Sequence, residues 1–278
     1  MTILVFTCII LVGAFCAGLL GSLTGLGGGV VIIPMLTLGF GVDIRYAIGA
    51  SLVSVIATSS GSAVAYVKEG FSNIRMGMFL EIATTTGAVL GAFLAIYAPT
   101  RLIAIIFGGI LIVSAVTSFM KKKNGALAPG GSPLAARLRL NSTYPEGGKL
   151  VPYSVYRVLG GFGMMGIAGV ASGLLGVGSG ALKVVAMDNI MRVPFKVSTT
   201  TSNFMIGVTA AASAGIYLYR GYIDPGLSMP VVLGVLVGAY TGSHILTNAK
   251  PVWLRIVFSI VVIVLAAEMI YNGANGRI

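Results

Sequence analysis

Charge is scarce in this chain. Only 9% of its 278 residues are Asp, Glu, Lys or Arg, seven of them acidic, and there is one histidine and one tryptophan. No Ser/His/Asp, Cys/His or metal-ligand clustering is visible, so neither an enzyme nor a bound metal or other cofactor is expected. The two cysteines, Cys8 and Cys16, share one apolar segment. Their spacing fits neither a redox CxxC pair nor a structural metal site, and they read as small packing residues. A basic stretch ahead of the apolar N-terminal run is also missing, so that run is expected to stay in the mature protein rather than act as a cleaved signal.

What is present is apolar. Hydrophobic residues make up 56% of the chain and the mean hydropathy is +0.99. Apolar runs approaching about 20 residues recur throughout, which specifies an integral membrane protein. Forty glycines would weaken water-exposed helices, but in a bilayer they let helix backbones approach closely. The net charge of +11 is concentrated at one connection, where Lys121, Lys122, Lys123, Arg137, Arg139, Lys149 and Arg157 fall. No basic face interleaved with aromatics exists, so nucleic acid is not an expected partner. These charges mark a cytoplasmic side instead. The expected partners are the lipid bilayer of the cytoplasmic membrane and a small solute, with the oligomeric state left open.

The chain is also built twice. Gly25-Leu26-Gly27-Gly28-Gly29 returns as Gly176-Val177-Gly178-Ser179-Gly180, an offset of 151. At that offset Ser51 meets Ser202, Thr58 meets Thr209, Ser62 meets Ser213, Tyr66 meets Tyr217, Gly87 meets Gly238 and Gly91 meets Gly242. A duplicated, glycine-broken apolar segment points to a transporter whose site lies where the halves meet. The expected organisation is a first membrane repeat over 1–120, a basic Gly/Pro-rich cytoplasmic linker over 121–152 and a second repeat over 153–278. The linker lacks helical periodicity and reads as solvated and mobile. Within an all-α bundle, about eight apolar segments are expected: 2–40, 46–67, 75–98 and 101–120, then 157–191, 197–219, 225–246 and 252–271.

The opening segment of each half is too long for one straight crossing, which takes about 20 residues, and too short for two. A hairpin bent at its glycines resolves this, provided protein or a wet cavity satisfies the irregular backbone. Lysine and arginine placement discriminates between topologies. With re-entrant hairpins each half crosses three times, and the 17 basic residues outside the motif divide 13 inside to 4 outside. With a single crossing the division is 11 to 6. Inverted halves follow from the first arrangement.

At such bends, freed backbone N–H groups with a helix dipole behind them form an anion site that needs no side-chain charge. Close helix packing alone is the competing explanation of the glycines. The following helices carry a polar stripe, Ser51, Ser54, Thr58 and Ser62 in one half and Ser202, Thr209 and Ser213 in the other, with Asn203 beside it. These groups either line a cavity or bond neighbouring helices and their own backbone. Lys183 stands among apolar residues and requires a partner or water; substrate, Asp188 or an interface would each serve. Glu81 is a proton-coupling candidate or a headgroup-level carboxylate. His244 and Glu268 lie toward segment ends and read as structural and interfacial.

The two motifs, Gly21 to Gly29 and Ser172 to Gly180, together with the duplication and the length, resemble the TauE/SafE family of membrane transporters. The resemblance covers nearly the whole chain except the linker. It implies movement of sulfite or related sulfur-containing anions. The substrate-binding residues expected from bends and stripe together are Gly25, Gly27, Gly28, Gly29, Ser51, Gly176, Gly178, Ser179, Gly180, Lys183, Ser202 and Asn203. One departure from the family pattern is visible: the first motif is followed by Pro34, whereas the second has Val185 there. Competing functions are an anion channel with the same lining and a transporter of a non-sulfur organic anion.

Overall fold

A computed structural model of the chain describes residues 3–24, 28–68, 72–119, 131–146, 149–246 and 251–276. Among its described residues the regular elements are helices and one two-stranded hairpin. The helices are α1 (Ile3–Thr24), α2 (Gly29–Pro34), α3 (Ile44–Lys68), α4 (Ile74–Tyr97), α5 (Thr100–Phe119), α6 (Pro133–Arg137), α7 (Val158–Leu175), α8 (Gly180–Val185), α9 (Phe195–Tyr219), α10 (Pro225–Leu246) and α11 (Pro251–Ala274). Helices α4 and α7 are long and apolar enough to cross a membrane. Apolar side chains such as Met78, Ile82, Leu90, Leu159 and Ile167 stand exposed on their outer faces.

Each long opening segment is a hairpin that returns to its starting end. In the first half Phe6 and Phe40 meet edge to face with ring centroids 5.3 Å apart. In the second, Tyr156 N–H donates to Met191 O at 3.0 Å. The returning limbs are alike, since α2 and α8 each run into a π-helical turn, Met35–Gly39 and Ala186–Ile190. Pro34 precedes the first turn and Val185 the second. Wider winding at this place therefore does not depend on proline's missing N–H.

Glycine governs the packing between helices. A Cβ on Gly169 or Gly173 of α7 would overlap Thr84 O or Ala88 O of α4, and one on Gly238 of α10 would overlap Phe15 O of α1. Backbones therefore touch across α4–α7 and α1–α10, the two most extensive helix pairs, followed by α5–α11 and α3–α9. At the centre α3 and α9 are pinned by Ser59, whose hydroxyl donates to Asn203 O at 2.6 Å and accepts from Gly207 N–H at 3.0 Å.

The connection between the halves departs from a structureless linker. Strands β1 (Ser142–Glu146) and β2 (Lys149–Tyr153) pair antiparallel, with Tyr144 opposite Val151. Together with α6 they bury Ala135, Leu140, Tyr144 and Tyr153 in one cluster with Met76 and Leu80 of α4, Val193 just before α9 and Val197 within it. These apolar residues are sparse among Gly, Pro and Arg, so they leave no periodic trace in the sequence. Asn73 holds the assembly together. It caps α4 by accepting from Met76 N–H at 3.0 Å, and its amide donates to Leu140 O and Tyr153 Oη, each at 2.8 Å. Its backbone N–H donates to Thr201 Oγ1 of α9 at 3.0 Å.

Candidate functional site

The glycine bends lie side by side at the α3–α9 crossing. A Cβ built on Gly29 would overlap Ser51 Oγ and stand 3.2 Å from Val55 Cγ2 and 3.4 Å from Gly176 O. Gly178, in the other bend, packs on Val55 and Ile206. Ser51 Oγ donates to Gly176 O at 2.8 Å, and its counterpart Ser202 Oγ donates to Gly180 O at 3.2 Å. Each stripe serine thus holds the second bend by a carbonyl. Gly28 touches α1 and Val235. Gly25 and Gly27 lie outside the described residues.

The second bend turns through the left-handed region at Gly176, Gly178 and Ser179, with φ of 67°, 76° and 47°. Ser179 carries a side chain there at a cost of about 1–2 kcal/mol, and its carbonyl opens α8 by accepting from Lys183 N–H at 3.1 Å. Beside Ser179 and Gly180 opens a small cleft lined by Val30, Phe107, Leu111, Ser114 and Val177.

Lys183 lies in this first turn and is fully buried. Its ammonium donates to Thr209 Oγ1 on α9, and the Thr209 hydroxyl reaches Glu81 Oε1 on α4 at 2.6 Å. Thr85 donates to the same oxygen at 3.2 Å. Glu81 Oε2 is buried with no hydrogen-bond partner among the described residues. Glu81, only 7% exposed, is therefore an interior carboxylate and not a headgroup-level one. A lysine and a glutamate survive in this apolar setting because a shared hydroxyl joins them.

Several stripe hydroxyls are instead spent on their own helices: Ser54 bonds Ser51 O, Thr58 bonds Ser54 O and Ser213 bonds Thr209 O. Asn203 is buried on α9 and its backbone carbonyl receives Ser59. The side chains of Ser62 and His244 lie outside the described residues. Glu268 and both cysteines are exposed on the outer surface. The sequence contained a pointer to the burial of Glu81. It shares a helical face with Gly77, Thr84, Ala88 and Gly91, the small-residue face that meets α7 and α9. A carboxylate on such a face must lie inside.

A family model described as sulfite exporter TauE/SafE matches residues 10–269. The chain belongs to the TauE/SafE family. It is similar along nearly its whole length to the probable membrane transporter protein YunE of Bacillus subtilis, 27% identical over 272 residues, 95% of this chain and 97% of that one. It is likewise similar to the probable membrane transporter protein MJ0441 of Methanocaldococcus jannaschii, 24% identical over 283 residues and 96% of each chain. A probable membrane transporter protein of Xylella fastidiosa is 26% identical over 262 residues, 93% of this chain and 91% of its own. No solved structure matches the chain. In this TauE/SafE chain the charged cluster is one-sided. The offset of 151 puts Ile32 in the place of Lys183 and Val232 in the place of Glu81, and keeps only Thr58 for Thr209.

Proposed function

We propose that the chain is a multi-pass secondary transporter of the cytoplasmic membrane that moves a small sulfur-containing anion, such as sulfite, thiosulfate or an organosulfonate. Its two halves are inverted repeats, and the anion binds between them. The observation that carries this reading is the meeting of the two glycine bends at the α3–α9 crossing, with a buried lysine in the first turn beyond one of them. Support for inversion comes from the hairpins: each begins and ends on one side, leaving three crossings per half and reversing the second half's orientation. The anion is held by backbone amides of Gly28, Gly29, Gly178, Ser179 and Gly180 and by the charge of Lys183, with Ser51, Ser202 and Asn203 shaping the bends. Glu81 carries the coupling proton.

Gly29 lies against Gly176 of the second bend, and close apposition of the two bends there supports alternating access over a standing pore. Sulfur enters through the family, whose description names sulfite; the geometry speaks for a small anion. The test is uptake of labelled sulfite, thiosulfate, sulfoacetate and taurine into vesicles holding the purified protein, with and without a pH gradient. Saturable uptake of one or more is expected. Single-channel currents in its place would make the protein a channel, and indifference to all of these anions would end the sulfur assignment.

A further inference from the structure

We infer that Glu81 and the transported anion compete for Lys183, so that each anion entering the site brings one proton onto Glu81, and that the chain has one such site despite its duplicated build. The inference rests on the transport reading above and adds its stoichiometry. An ammonium has three N–H donors, and Lys183 directs one at Thr209 Oγ1. It reaches Glu81 only through that hydroxyl, and Glu81 keeps one oxygen buried without a hydrogen bond among the described residues. A carboxylate so placed is tolerable while the lysine charge is beside it and is strongly disfavoured once that charge is given to another anion. Uptake of a proton from water on the open side then restores neutrality. The proton adds to a carboxylate oxygen, and no bond is broken but that to the donating water or hydronium.

Among the described residues, the surroundings of Glu81 leave no other group to take this part. From α9 it faces Thr209, from α8 Lys183 and from its own helix Thr85. The sequence of α7, packed against α4, has no titratable residue. On α9 the titratable residues Lys196, Tyr217 and Tyr219 lie in the first and last turns, and Asp188 lies in the π-helical turn beyond α8. Before binding, the site holds one positive and one negative charge. Afterwards it holds the lysine and a monovalent anion, with Glu81 neutral. With Ile32 and Val232 at the duplicated positions the chain has no second such pair, which fixes the number at one per chain.

Calorimetric titration of the purified full chain with the monovalent organosulfonates methanesulfonate and isethionate, in buffers of different ionisation heat, counts protons directly. About one proton taken up per anion is expected, with affinity falling about tenfold per pH unit on the alkaline side. Glu81→Gln should bind more tightly than the parent near neutral pH and take up no proton there, and Glu81→Asp should keep the uptake. Anion binding by the parent chain without proton uptake, or full uptake in Glu81→Gln, overturns this inference and Glu81's part in coupling, and leaves the anion-transport reading standing. Absence of binding by any of the tested anions overturns both. Should Glu81→Gln fail to fold, the proton count of the parent chain decides alone.

Discussion

Lys183 donates to the hydroxyl of Thr209, and through it one half-hairpin is joined electrostatically to α4. Removing a single partner of a buried pair leaves an uncompensated charge and costs about 3–5 kcal/mol, whereas replacing both with groups of similar size is often neutral. Lys183→Met should therefore lower the thermal unfolding midpoint in detergent sharply, and Lys183→Met combined with Glu81→Gln should recover most of the loss. A double variant no more stable than the single one would show that the two charges do not sense each other.

The bends make a second prediction. Gly29→Ala forces a methyl group onto Ser51 Oγ, while Gly178→Ala combines a φ of 76° with a contact 2.5 Å from Ile206 Cγ2. Both should cut vesicle uptake to roughly a tenth or less, since displacements of about an ångström at a positioned site suffice for that. The rescues should differ. Adding Ser51→Ala to Gly29→Ala removes the hydroxyl that the new methyl group meets and should restore part of the activity. Ile206→Ala should not rescue Gly178→Ala, because the left-handed backbone there still disfavours a side chain. Equal rescue of both would mean that crowding alone explains the glycines.

Much of this architecture was legible in the residue string, for physical reasons that also explain the omissions. Hairpins over 2–40 and 157–191 followed from arithmetic, because apolar runs of about 35 to 40 residues suit neither one crossing nor two. Lys183 stood out because a charge in hydrocarbon needs a reason. Its partner did not stand out, since Asp188 is near in sequence while Glu81 is distant, and only the docking of α4 on α9 brings Glu81 within reach. The β1–β2 hairpin left no signal because its few buried residues, Tyr144 and Tyr153, pack with Leu140, and Leu140 and Tyr153 are held by Asn73, which arrives from outside the linker.

That docked hairpin should be pH-sensitive in a defined window. Burial pushes the Tyr153 hydroxyl up to about 12, offset in part by the hydrogen bond from Asn73. Tyrosine in an undocked chain titrates near about 10, so the docked state retains a proton that the undocked state releases. Docking is at full strength below about pH 10 and weakens as pH rises toward about 12. Tyr153→Phe removes this step and leaves an Asn73 N–H short of an acceptor, a loss of about 1–3 kcal/mol. A fluorophore at exposed Leu150, introduced as Leu150→Cys after Cys8 and Cys16 are replaced by serine, should report loosening over that range in the parent and none in Tyr153→Phe. The same reporter unmoved at high pH in the parent would detach Tyr153 from the hold.

Cross-half pairing carries the last prediction. The first helix of each half packs on the third long helix of the other, α1 on α10 and α7 on α4, while α5 meets α11. In the bilayer such pairs are held by close backbone contact rather than by exclusion of water, and the glycines permitting that contact belong to both halves: Gly18 and Gly238 in one pair, Gly91 and Gly173 in the other. A half expressed alone has its small-residue faces without their mates. A chain cut between Met120 and Gly131 should therefore assemble only when both pieces are made together, with each piece alone degraded or aggregated. Gly173→Leu, which drives a large side chain into Ala88 O, should prevent recovery of one piece on the other in an affinity pull-down, whereas Leu159→Ala on the exposed face of α7 should not. A first half that is stable and monodisperse by itself would show that the exchanged pairs are not what holds the bundle, and would leave the bends without the frame that sets them against each other.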